Sequence, residues 1–264
     1  MPWPEFTELS FGYCFLRELE TKYTTGGRFP RAPDFISQYA EKTKGYDVEV
    51  AMDGAVPLFI QLKRSMVIRS ANAREFASPF FKSKPALRMN LHSNDSFAQH
   101  IALQKLEQAG NHVIYATSQI ENPQELVTHT KSRTMVTKAS AIFSPSTIML
   151  PNVHEQHHVS FYANTNWAVL FSEKGQRFER KWADGAVWLA ELLETSRGRE
   201  ENERAMKLAE QVLMEAFDRT AGSPPAMIMD AVGSLDGAAA RVSVLAQYML
   251  DAQLTFLKPP VEGE

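Results

Sequence analysis

The hydrophobic period of this chain changes near residue 180, and that change limits the fold more than any single motif does. Before it, apolar residues come in short runs, as in Val56-Pro57-Leu58-Phe59-Ile60, His112-Val113-Ile114-Tyr115-Ala116-Thr117 and Ala141-Ile142-Phe143. After it they recur every three or four residues: Val187, Leu189, Leu192 and Leu193, then Ala205, Leu208, Val212, Leu213 and Ala216, then Val242, Leu245, Met249 and Leu254. Short runs make strands, and the longer period makes amphipathic helices. The pattern predicts an α/β core over residues 1–172 and a helical C-terminal region over 173–264, the latter suited to dimerisation or to docking on a partner.

Within the first part, Phe11, Phe15, Leu16 and Leu19 fall at helical spacing over residues 7 to 22, ahead of Gly26-Gly27. Asp34 is placed to cap a short helix through Phe35, Ile36, Tyr39 and Ala40 that stops at Gly45. Tyr46 to Val50 alternates apolar and acidic residues, and Asp53-Gly54 supplies a turn before the run from Val56 to Lys63. Two strands joined by a turn follow from this. A third strand is expected from Ala86 to His92, a helix from about Asp95 to Ala109 closed by Gly110-Asn111, and a fourth strand at His112 to Thr117. The order is helix, three strands, helix, strand. Further strands are expected at Ala141 to Phe143, Val159 to Tyr162 and Trp167 to Phe171.

Composition narrows the classes. A length of 264 residues with 44 per cent hydrophobic residues is ordinary for a globular chain that buries its own core. One cysteine, Cys14, rules out an internal disulfide framework and any site of several thiolates. No run approaches the roughly 20 apolar residues of a membrane span, and Met1-Pro2-Trp3-Pro4-Glu5 does not begin a secretory signal. These features lead to the expectation of a cytoplasmic protein with no membrane partner. The formal charge of −3 divides unevenly, about −5 over residues 173–264 and about +2 over 1–172. The basic excess centres on Lys63, Arg64, Arg69, Arg74, Lys82, Lys84 and Arg88, opposed by Glu75 and interleaved with Phe76, Phe80 and Phe81. Such a stretch either follows a phosphate backbone or forms a solvated loop.

The spacing with chemical content is Asp47, thirteen residues, then Gln61-Leu62-Lys63. Strand side chains alternate, so Gln61 and Lys63 share a face, and a neighbouring strand can bring Asp47 beside them. A carboxylate and an amide oxygen suit a hard cation such as Mg²⁺ or Mn²⁺. The amine of Lys63 suits the attacking water and the charge that develops on phosphorus. The bland alternative is a cross-strand Asp47–Lys63 ion pair, with Gln61 facing solvent and Gln99 and His100 on a helix surface.

These residues, with the helix before them and the one after, resemble the core of the PD-(D/E)XK nuclease superfamily in its Q-x-K form, over roughly residues 7 to 120. The resemblance implies a restriction-endonuclease-like mixed sheet flanked by helices. It also implies Mg²⁺-dependent (or Mn²⁺-dependent) hydrolysis of nucleic-acid phosphodiesters, DNA first, in antiviral defence or DNA processing. It assigns catalysis to Asp47, Gln61, Lys63 and Glu20, the cation to Asp47, Gln61 and Glu20, and substrate contacts to Arg64, Gln99 and His100. Glu18 and Glu41 compete with Glu20 for the helical position. The alternative on the same fold is an inert binding or structural subunit of a homodimer or a larger protein complex.

His154-Glu155-Gln156-His157-His158 also matches H-E-x-x-H, the zinc-peptidase spacing of two imidazoles one helical turn apart. Val159 to Tyr162 alternates, which favours a strand starting near His158 over a continuing helix. Gly26-Gly27 lacks the strand and helix of a phosphate loop, and Cys14 reads as a small core residue.

Overall fold

A computed structural model describes residues 5–23, 56–91, 98–151, 156–172, 175–195, 199–220, 226–235, 238–250 and 252–257. The strand expected over Tyr46 to Val50 and the helix expected after Asp34 lie outside the described residues. The protein is mixed α/β with two sheets among the described residues, one mixed and one antiparallel. The chain divides into two compact units: residues 1–21, 62–100 and 114–192 form the first, and 22–61, 101–113 and 193–264 the second. These limits differ from a single boundary at residue 172.

Helix α1 (Glu8–Tyr23) opens with Thr7, whose hydroxyl accepts from the Ser10 N–H at 3.0 Å and so caps the first turn. Its buried face is the expected one, Phe11, Phe15, Leu16 and Leu19. The four-stranded sheet has the order β5-β4-β1-β9, with β1 (Val56–Lys63), β4 (His112–Ser118), β5 (Ser140–Phe143) and β9 (Ala252–Leu257). Leu58 to Gln61 is buried without a break, as an internal strand requires. The described antiparallel neighbour of β1 is β9, in the register Val56↔Leu257 to Gln61↔Ala252. Leu254, expected to end a helix, is therefore a strand residue.

The second sheet corrects the expectation of one core sheet. Strand β2 (Ser65–Ile68) starts two residues after Lys63 and pairs antiparallel with β3 (Ala86–Asn90), and β3 then pairs with β6 (His158–Phe161). With β7 (Trp167–Phe171) and β8 (Gly175–Glu179) the order is β2-β3-β6-β7-β8. The third expected strand thus exists, in this second sheet. The physical reason is β2 itself, four wholly buried residues between Arg64 and Arg69 that supply β3 with its partner.

The helix α3 (Ala98–Gln108) ends where expected: Gly110 takes φ +86° and the Asn111 amide donates to Leu106 O at 3.0 Å. In α4 (Pro123–Ser132), a helix not expected from the sequence, the Asn122 side chain accepts from Glu125 N at 2.9 Å and Pro123 fills the first turn. A short helix α5 (Met135–Lys138) leads into β5. Helix α6 (Gly185–Glu194) buries Trp188, whose ring stacks on Phe15 at 6.4 Å.

In the second unit, α7 (Arg199–Thr220) packs on α9 (Ala238–Leu250), with α8 (Ala226–Gly233) beside α9. Ala205, Met206, Ala209 and Leu213 face inward from α7, and Val242, Leu245 and Ala246 from α9. Leu208, expected on that apolar face, is exposed instead. Arg241 forks onto Glu210 at 2.6 and 3.0 Å. No helix among the described residues is long and apolar enough to cross a membrane.

Candidate functional site

The end of β1 is set by alternation. Leu62 turns toward α1 at Gly12, where a Cβ would stand 2.4 Å from Leu62 Cδ1; glycine lets the helix approach this closely. Gln61 and Lys63 take the opposite face of the strand, as expected. Neither faces solvent: Gln61 is 0% exposed and Lys63 4%. Lys63 Nζ lies 3.5 Å from Gln99 Oε1 on α3, so the structure brings together two of the residues singled out in sequence. Burying an amine costs several kcal/mol unless neighbours compensate, roughly as for other charged groups, and such positions are candidate functional sites.

The residues after Lys63 hold the strand end in place. Arg64 N donates to Glu8 Oε2 at 2.9 Å, and its guanidinium donates to Phe6 O at 3.2 Å. That side chain, expected on substrate, ties the entry of α1 to β1. Ser65 Oγ donates to Ser118 O at 2.5 Å, which leaves Thr117 Oγ1 as donor to it at 2.7 Å. All three are buried. Sequence reasoning missed this hydroxyl cluster, because a serine beside an arginine carries no signal of burial.

His100, also expected on substrate, is 3% exposed. Its Nε2 meets Ile148 O at 3.0 Å, an acceptor, so Nε2 carries the proton and Nδ1 accepts from Tyr115 OH at 2.9 Å. Both ring nitrogens are used inside the fold. Burial lowers the imidazole pKa from 6.5 to about 4 against the backbone hydrogen bond, and burial raises that of the Tyr115 phenol.

Of the competing glutamates, Glu18 is buried and its Oε2 accepts from Met135 N at 2.6 Å, satisfying an N–H of the first turn of α5. Glu20 lies on α1, but its side chain, like Asp47 and Glu41, is outside the described residues. Among the described residues there is no group of three or more His, Cys, Asp or Glu that could hold a metal ion. The described donor at this strand end is the Gln61 side-chain oxygen, a neutral ligand that suits a hard cation only alongside carboxylates.

The H-E-x-x-H segment is not a helix where it is described: β6 begins at His158, as the alternation predicted. His154 and Glu155 are outside the described residues. His157 Nδ1 lies 2.6 Å from Ser172 Oγ in the interior. His158 stacks on Phe171 at 5.1 Å.

Part of the basic run is turned to internal work. Arg69 pairs with Glu121. Arg88 stands opposite Ser160 in the β3–β6 register, and both reach Glu75 of α2 (Arg74–Ala77). Glu75 Oε1 accepts from Arg88 Nε at 2.7 Å and Ser160 Oγ at 2.8 Å, and Oε2 from Arg88 Nη2 at 2.7 Å. His158 Nε2 approaches Oε1 to 3.4 Å. Burial opposes the charge, but His158, Arg88 and Ser160 outweigh it and hold the carboxyl far below the ordinary range. Arg69, Arg74, Lys82 and Lys84 are exposed. No family model, no curated protein and no solved structure matches the chain.

Proposed function

We propose that the chain is a metal-dependent nuclease with a restriction-endonuclease-like core, hydrolysing nucleic-acid phosphodiester bonds, DNA first. The observation that carries this reading is Lys63: a buried amine at the end of an internal strand, two residues after the buried Gln61 and facing Gln99 of α3. Asp47, Gln61 and Glu20 would hold Mg²⁺ or Mn²⁺, which supplies an acidified water and offsets charge on the phosphate. Lys63 Nζ orients that water's oxygen and donates to the phosphoryl oxygen that gains charge. Gln99 Oε1 holds Nζ in position. Arg64 and His100 act through the scaffold, since their described contacts lie within the fold. Defence or DNA processing is the setting that the resemblance implies.

The test incubates purified protein with plasmid and single-stranded DNA in Mg²⁺ or Mn²⁺, beside Lys63→Ala and Asp47→Ala. Each variant is expected to lose cleavage by about 100-fold or more. Cleavage that persists in both sinks the site. A wild-type chain that cuts nothing yet holds a protein partner supports instead an inert subunit of a complex.

A further inference from the structure

The segment joining β2 to β3 carries a groove of about 660 Å³, lined by Phe76, Phe81, Lys82 and Lys84 with Ser78 and Ser83 among them. No lining residue is acidic. Glu75, in the same segment, is buried and forked onto Arg88, so it does not offset the lysines. Lys84 Nζ stands over the Phe76 ring, 5.5 Å from its centre, so a cation and one face of an aromatic ring already meet here. Behind them Phe81 meets Tyr162 and Trp167 at 5.1 and 5.6 Å, and Arg177 covers Trp167 at 4.9 Å. The segment is also tethered: Tyr162 OH accepts from Ser83 N and donates to Ser83 O, each at 2.8 Å.

We infer that this groove binds a single-stranded polynucleotide, its phosphates at Lys82 and Lys84 and a base against Phe76. Two cations beside an aromatic wall match a chain that alternates anionic phosphates with flat apolar faces. A duplex presents the phosphates but hides the base faces in its stack. An acidic peptide offers the charge without the rings. The inference rests on the nucleic-acid reading of the chain, though not on cleavage.

The experiment measures fluorescence anisotropy of labelled oligo(dT) and oligo(U), each about 16 nucleotides long to fill one site, beside a duplex of equal length. EDTA is present so that nothing is cut, and circular dichroism checks that each variant is folded. Both single strands are expected to bind more tightly than the duplex, and their ratio reports any preference for DNA or RNA. The Lys82→Ala/Lys84→Ala variant should weaken binding about 10-fold at low salt and flatten the log–log salt slope by about 1.4, two phosphates' worth. Phe76→Leu, which keeps an apolar side chain in place, should weaken it about 5-fold or more with the slope unchanged. Lys131→Ala/Lys138→Ala removes the same charge from exposed positions on α4 and α5 and should leave both quantities alone. Equal binding of the duplex, equal loss in the two double variants, or no binding at all overturns the inference. Binding retained in Lys63→Ala while cleavage disappears supports it. Strand binding by a wild type that never cleaves also supports it, and sinks the nuclease reading alone.

Discussion

Glu75 and Lys63 are buried in the same compact unit, yet their surroundings differ in kind. Glu75 meets an opposite charge in a two-pronged fork, with a hydroxyl added, all at 2.7 to 2.8 Å. Lys63 Nζ meets a neutral amide oxygen at 3.5 Å. An ion pair matched on both prongs fixes a segment in place, here α2 on the β3–β6 strands. A buried amine facing an amide oxygen at a strand end is the arrangement on which the proposed phosphoryl chemistry rests.

Truncating Glu75 should give the largest effect. Glu75→Ala leaves Arg88 without its carboxylate and is expected to cost about 3–5 kcal/mol in urea unfolding. Because the folded carboxyl titrates far below its ordinary range, the stabilisation is complete above the usual carboxylate pKa and fades as pH falls below it. Glu75→Gln should remove that acid-side fade.

A third buried group, His100, gives the next effect, in a different pH window. Its folded pKa is about 4 against 6.5 unfolded, so the unfolded chain takes up the proton first as pH falls. Stability should drop by up to about 3 kcal/mol between those values and level off below pH 4. His100→Gln should flatten the drop, measured by chemical unfolding at each pH.

Lys63→Met tests the other side of the comparison. Replacing a buried amine by an apolar side chain of similar length should leave the melting temperature unchanged or raise stability by about 1 kcal/mol. A loss as large as that of Glu75→Ala would make Lys63 a structural residue and collapse the contrast. Ser160→Ala should be the smallest of the losses, about 1 kcal/mol for one hydrogen bond to a carboxylate that keeps its arginine.

Much of the fold was legible where the signal is local. The spacing of Phe11, Phe15 and Leu19 gave α1, and Gly110-Asn111 gave the stop of α3. Alternation also put Gln61 and Lys63 on one face. What the sequence hid depends on distant partners. Ser65 to Ile68 is too short to show a period between two arginines, so β2 and the division into two sheets were missed. Glu18 looked like a candidate ligand because nothing within α1 announces that Met135 takes its carboxylate. His100 looked exposed because Tyr115 and the Ile148 carbonyl, which enclose it, come from later elements.

The pairing of β1 with β9 has a consequence for synthesis. Val56 is translated some two hundred residues before its partner Leu257. Until β9 emerges, the edge of an apolar strand holding Leu58, Phe59 and Ile60 lies open to other chains. So long-range a closure is slow to form. The strand that carries Gln61 and Lys63 therefore completes its hydrogen bonding last, and a ribosome stalled before residue 252 would release a chain prone to association through that edge.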